Sequence, residues 1–235
     1  MTPRSWMRQL FARTPGNVRK APFRFRPQLE SLESRYVPST LMVTNNFDTG
    51  VSGDGSLRGE LAAAASGDTI AFAGSLKGKT ITLSHGELAL NQSLTIAGPV
   101  ANPVTISGNY AGRVFDITSS SAIVTLSGLT ITQGEASGDG GGIDNFGTLT
   151  VSQCSLSDNS AVGRGGGIFN AGTLTVSQSS LSGNSASHGG GIYNHFGSTL
   201  NVLNHSSITG NTPDDVKNFG PPVNQDKSST IGVLD

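Results

Sequence analysis

The chain has 235 residues, enough for one sizeable domain or two small ones, with 35% hydrophobic residues, 13% charged residues and 32 glycines. Regularly spaced Val, Leu and Ile argue against disorder, and the single cysteine, Cys154, excludes an internal disulfide. The net charge of -1 divides unevenly: residues 1–40 carry eight basic and two acidic side chains, a net of +6, and the remainder is at -7.

Residues 1–40 read as a basic, disordered export or targeting segment without the apolar stretch of an ordinary signal peptide. They lack clustered aromatics, so we expect no nucleic-acid partner. No run approaches 18 apolar residues, so we expect no transmembrane helix. Residues 41–67 read as an N-terminal cap. Within them "DGSLRGELAAAASGD" (Asp54–Asp68) is a short helix: Leu57 and Leu61 are four apart, the alanines favour it, Gly67 can end it, and Gly59 weakens it.

Residues 68–218 read as stacked coils. "SLTIAG" (Ser93–Gly98), "VTISGN" (Val104–Asn109) and "IVTLSGLTITQG" (Ile123–Gly134) alternate with period two and end on glycine. The pattern then repeats openly in "GGGIDNFGTLTVSQCSLSDNSA" (Gly140–Ala161), "GGGIFNAGTLTVSQSSLSGNSA" (Gly165–Ala186) and "GGGIYNHFGSTLNVLNHSSITGN" (Gly189–Asn211). Equivalent isoleucines Ile143, Ile168 and Ile192 are 25 and 24 residues apart, and Leu149, Leu174 and Leu200 are 25 and 26 apart. Each apolar segment is too short for a helix, and Gly183-Asn184 suits a turn with positive φ.

One period is therefore three short strands joined by turns. A coil of this kind buries its apolar side chains only by stacking on its neighbours. The expected fold is all-β: a right-handed parallel β-helix of about six coils of about 25 residues, on the order of 30 Å long, with a short helical cap. Ile143, Ile168, Ile192 and Leu149, Leu174, Leu200 form core stacks. Asn145, Asn170, Asn194 and Asn159, Asn184, Asn211 form structural amide ladders at the turns. "NTPDDVKNFGPP" breaks the pattern, and residues 219–235 read as a loose C-terminal cap or tail.

"GGGIFN" followed by "LSGN" resembles the polymorphic outer-membrane protein repeat over about residues 140–212, with Gly in place of its usual Ala and Leu156, Leu181 or Ile208 in place of its Phe. The resemblance implies a right-handed β-helix of the pectin-lyase-like superfamily on an exported surface protein. "GSLRGELAAAASGDTIAF" (Gly55–Phe72) is similar to a CSLREA-type opening, with Gly55 for the Cys. "RPQLESLESRYVPS" (Arg26–Ser39) resembles the N-terminal motif of planctomycete extracellular proteins. Together they imply an extracellular, cell-surface or outer-membrane location.

An enzyme on such a scaffold needs carboxylates clustered on adjacent coils. Asp144 aligns with Phe169 and Tyr193, and Asp158 with Gly183, so no acidic column is expected. Asp139, Asp144 and Arg164 are the nearest thing to a site, whether for catalysis or for Ca²⁺. His85, His188, His195 and His205 have no metal-ligand spacing. Cys154 takes the place of Ser179 one coil earlier and reads as a small side chain in a stacked column. The expectation is no catalytic, metal or cofactor-binding residue, and no cofactor.

Thr148-Leu149-Thr150 and Thr173-Leu174-Thr175 stack into a threonine array, with Thr199 and Asn201 next and Thr130-Ile131-Thr132 one coil before, slightly out of register. The reading that follows is an exported or cell-surface module, non-catalytic and monomeric, with a structural or adhesive role toward a glycan or a surface protein. The alternatives are a polysaccharide-active lyase or hydrolase, or its inactive relative, and an ice- or mineral-surface-binding β-helix.

Overall fold

A computed structural model describes residues 37–235; the basic segment and most of the Arg26–Ser39 motif lie outside the described residues. The chain winds into a parallel β-solenoid of three main sheets, with a small fourth in which Glu135–Ala136 pairs with Ser160–Ala161. The first sheet has eight strands, in the order Thr40–Val43, Thr69–Phe72, Leu94–Ala97, Ile123–Ser127, Thr148–Ser152, Thr173–Ser177, Thr199–Leu203 and Asn224–Gln225. The second has seven, from Thr80–Thr82 through Val104–Ser107, Leu129–Thr132, Ser155–Ser157, Ser180–Ser182 and Ser207–Ile208 to Thr230–Ile231. The third has six: Leu88–Ala89, Phe115–Ile117, Ile143–Asn145, Ile168–Asn170, Ile192–Asn194 and Val216–Asn218. Each turn of the chain passes from the first sheet to the second and then the third.

The eight strands of the first sheet make eight rungs, two more than expected. Both extra rungs lie at the ends. Thr40–Val43 pairs in register with Thr69–Phe72, so residues 41–67 are a coil as well as a cap. The helix Leu57–Ala63 is inserted in that coil, which lengthens it and hides the period. At the other end Asn224–Gln225 and Thr230–Ile231 pair with the preceding rung. The tail is not loose, because side chains cap the rung beneath it: the N–H groups of Asn204, His205 and Ser206 donate to Asp226 Oδ2 (2.6 Å), Ser228 Oγ (3.0 Å) and Ser229 Oγ (3.2 Å).

The register puts like on like inside the coil. Ile143, Ile168, Ile192 and Val216 stack, as do Leu149, Leu174 and Leu200, and all are buried. Leu156, Leu181 and Ile208 do the same in the second sheet. Each fully buried Leu or Ile contributes roughly 1.5–3 kcal/mol of transfer free energy.

Gly140, Gly165 and Gly189, which open the three GGG runs, have φ of +67°, +68° and +60°. A Cβ on the second glycine of a run would strike backbone oxygens: Gly141 would meet those of Ser160 and Gly166. Between the first and second sheets the left-handed position is taken by Gly128, Gln153 and Gln178 on successive rungs and by Asn204 and His205 together on the next. Of the Gly183-Asn184 pair, Gly183 alone has positive φ, and Asn184 serves a ladder instead.

Gly59 is required by the helix it was expected to weaken. Its Cβ position is filled by Asp54 and the carbonyl of Val51. Ser56 caps the helix by accepting from the Gly59 N–H, and Glu60 accepts from the Gly55 N–H (2.8 Å), which satisfies two otherwise orphaned donors. Arg58 ties this cap to the second rung. It pairs with buried Asp48 (2.7 Å) and donates to the carbonyls of Gly86 and Glu87.

Candidate functional site

The two asparagine sets lie in buried ladders. Asn145 Nδ2 donates to Asn170 Oδ1 (2.7 Å), Asn170 to Asn194 (2.6 Å) and Asn194 to Asn218 (2.7 Å). This ladder begins at Asn145 because Ile117 holds the register position below it. In the second ladder Asn159 donates to Asn184 (2.9 Å), Asn184 to Asn211 (2.9 Å) and Asn211 to Asp215 (2.9 Å). Its amides also reach the carbonyls of Ile131, Leu156 and Leu181. With donors and acceptors used inside the coil, these asparagines serve the scaffold.

A third ladder escaped the sequence reading. The N–H of Cys154 donates to Ser179 Oγ (3.0 Å), that of Ser179 to Ser206 Oγ (3.4 Å), and that of Ser206 to Ser229 Oγ. Cys154 begins this ladder. Burial pushes its thiol up to about 11, which removes it as a nucleophile near neutrality.

Charge gathers on the outer face of the third sheet. Asp116 and Asp144 are register partners on adjacent rungs, followed in the same column by Phe169 and Tyr193. An acidic column therefore does exist, which corrects the expectation from the repeat alignment. The sequence hid it because Asp116 lies 28 residues before Asp144, in a coil that does not share the 25-residue period.

Arg113 organises the cluster. Its guanidinium lies 2.7 Å from Glu87, 3.6 Å from Asp116 and 3.3 Å from Asp144. It also donates to the carbonyls of Gly140 and Asp139, which fastens the loop before Ile143 over the acids. Asp139 pairs with Arg164 (3.6 Å) and accepts the Arg164 N–H. Asp139, through its carbonyl, and Asp144 thus meet around Arg113, and Arg164 reaches them through Asp139. Arg164 also lies over the rings of Phe169 and Tyr193, which are stacked with centroids 5.6 Å apart.

The electrostatics of the cluster are strained. Burial raises the Asp116 carboxyl above its usual range, against the pull of Arg113. Asp144 goes further, to about 7, because burial and the charges of Asp116, Asp139 and Glu87 outweigh Arg113. The residue is 8% exposed, and its Oδ1 is buried without a hydrogen-bond partner.

Beside this cluster a cleft of about 400 Å³ is lined by Glu87, Arg113, Glu135, Tyr110 and Val162 over a floor of small residues. A second cleft of about 440 Å³, lined by Arg58, Asn91 and Gln92, also borders Glu87. Tyr110 has φ +54° and is exposed, an unfavourable conformation for a bulky residue. Among the described residues no group of His, Cys, Asp and Glu could hold a metal ion. No helix of the described residues is long and apolar enough to cross a membrane.

The threonine array is more extensive than the repeat suggested and differently placed. Thr40, Thr69, Thr95, Thr125, Thr150 and Thr175 occupy one register column of the first sheet, continued by Asn201 and Asn224. Thr125, not Thr130, precedes Thr150. Thr130 belongs to the second sheet, in a column of Thr80, Thr105, Thr130, Ser155, Ser180, Ser207 and Thr230.

Comparison of the chain with protein-family models, with curated proteins and with solved structures finds no match.

Proposed function

We propose that this β-solenoid is an exported or cell-surface module with an adhesive role, and that it engages a glycan along the third sheet. The carrying observation is the paired clefts that border Glu87, where carboxylates, guanidinium groups, amides and the exposed Tyr110 ring converge. Hydroxyl-rich ligands are held by many hydrogen bonds to polar groups and by contact with an aromatic face. The uncharged hydroxyl columns on the other two sheets suit a rod that stands among polar surfaces. The repeat and N-terminal resemblances support a place in the pectin-lyase-like superfamily and outside the cytoplasm.

The test is a screen of the purified chain against a broad panel of immobilised glycans, together with protease accessibility on intact cells. Selective binding and surface exposure are expected. A blank screen, or an internal pool that protease cannot reach, removes the reading.

A second reading is favoured by the Asp116–Asp144 pair: a polysaccharide-cleaving enzyme in which Asp144, its carboxyl pushed up to about 7, donates a proton. Release of reducing ends from glycans that bind, lost in Asp144→Asn, would establish it over the adhesive reading.

A further inference from the structure

The chemistry of the clefts narrows the ligand class; the step rests on the glycan-binding reading. We infer that the cleft formed by Glu87, Arg113, Glu135 and Tyr110, backed by Asp116 and Asp144, takes a glycan that carries primary ammonium groups, an amino-sugar chain.

The first argument is charge. Glu87, Asp116 and Asp139 share two cations, Arg113 and Arg164, and crowd Asp144 enough that it holds its proton. Glu135 adds a further carboxylate on the cleft wall, with no ion pair among the described residues. The cluster is therefore short of positive charge.

The second is the orphaned acceptor. Asp144 Oδ1 is buried and unpartnered, on a carboxyl that pairs with the cleft residue Arg113, so the cluster's acceptors are not all satisfied from within. Buried, charge-crowded carboxyls of this kind are concentrated at functional sites.

The third is the state of the guanidinium. Arg113 is committed to Glu87, Asp116, Asp144 and the carbonyls of Asp139 and Gly140. Arg58 is likewise committed to Asp48 and the carbonyls of Gly86 and Glu87. Neither is left to receive a ligand carboxylate, so a uronate chain would meet Glu87 and Glu135 without compensation. An ammonium group has the opposite fit: carboxylates accept its hydrogen bonds, and the exposed Tyr110 ring offers a face for a cation.

The experiment measures binding of the full chain to three oligosaccharides of equal length: glucosamine, N-acetylglucosamine and galacturonate oligomers. Mildly acidic buffer keeps the amines charged, and spermidine serves as a sugar-free polyamine control. The glucosamine oligomer is expected to bind at least tenfold more tightly than its N-acetylated counterpart, and to weaken as salt is added.

Glu135→Gln, a change at an exposed side chain that leaves the fold's ion pairs in place, should weaken binding several-fold. Glu87→Gln should abolish the preference for the free amine, with circular dichroism as the check on folding. Equal or tighter binding of the acetylated or galacturonate oligomer overturns the charge inference and leaves the glycan reading standing. Spermidine binding as tightly as the glucosamine oligomer overturns the sugar part. No binding by any of the three oligomers overturns the inference, and with a blank glycan screen it overturns the wider reading too.

Discussion

The two halves of the solenoid satisfy their buried polar groups in opposite ways. From Gly141 to Asn218 the coils rely chiefly on neutral side chains: two asparagine ladders and a serine ladder pass hydrogen bonds from rung to rung, and buried Asp214 and Asp215 accept at the end of the stack. From Thr40 to Gly140 these ladders are missing and ion pairs carry more of the load, one of them reaching across to Asp144 of the next coil. Arg58 holds Asp48, and Arg113 gathers Glu87, Asp116 and Asp144. A neutral ladder saturates itself and leaves nothing for a ligand. A charged cluster held together by one arginine leaves an acceptor over. The regular half is scaffold, and the irregular half is where a binding site can be built.

The comparison breaks most sharply at its two linchpins. Arg113→Met leaves Asp116 and Asp144 without their shared cation and frees the loop carbonyls of Asp139 and Gly140. A loss of about 3–4 kcal/mol is expected in urea unfolding. Asn184→Leu should cost about 3 kcal/mol in the same assay, since it strands the N–H of Asn159, its amide and the Leu156 carbonyl inside the coil. If the Asn184 variant were as stable as the parent, the ladders would be ornamental and the contrast between the halves would fail.

Asp144→Asn should have the reverse sign. The carboxyl titrates at about 7 in the fold and at 3.8 when unfolded. Between those values the native state holds a proton that the unfolded chain has lost, so stability falls as pH rises through that window. Asparagine has nothing to ionise. Above neutrality the variant should be more stable by about 1–2 kcal/mol, the full linkage value being reduced by partial solvation. Below the unfolded value the two proteins should converge. Melting curves across pH decide this. A parent that is insensitive to pH between 4 and 7 would mean Asp144 is ionised throughout.

The smallest effect is expected on the hydroxyl columns. Thr130→Lys with Ser155→Lys alters half-buried, outward-facing positions of the second sheet and should shift stability by under about 1 kcal/mol. The pair also tests ice binding. That alternative requires thermal hysteresis in the parent, lost in the variant, and a parent without hysteresis removes it.

The alternation of Leu174 and Val176 with threonines, the 25-residue spacing of the GGG runs and the recurrent asparagines were legible because each is a local pattern repeated in register. The end rungs were not. Thr40–Val43 and Thr230–Ile231 have no repeat to mark them, and their pairing is settled by the edge that the neighbouring coil presents. The acidic pair was missed for the same reason: register across a coil of unequal length cannot be counted from sequence.

The sequence by itself determined the architecture, because a short alternating strand with glycine turns can bury its apolar side only by stacking on a copy of itself. It also determined the buried columns and the neutral ladders, which depend on the period alone. The tertiary structure decided where charge converges. Glu87, Arg113, Asp116, Asp139 and Asp144 lie on three successive turns, and only the winding of those turns brings one guanidinium within reach of all four carboxylate residues, through the side chains of three and the carbonyl of Asp139.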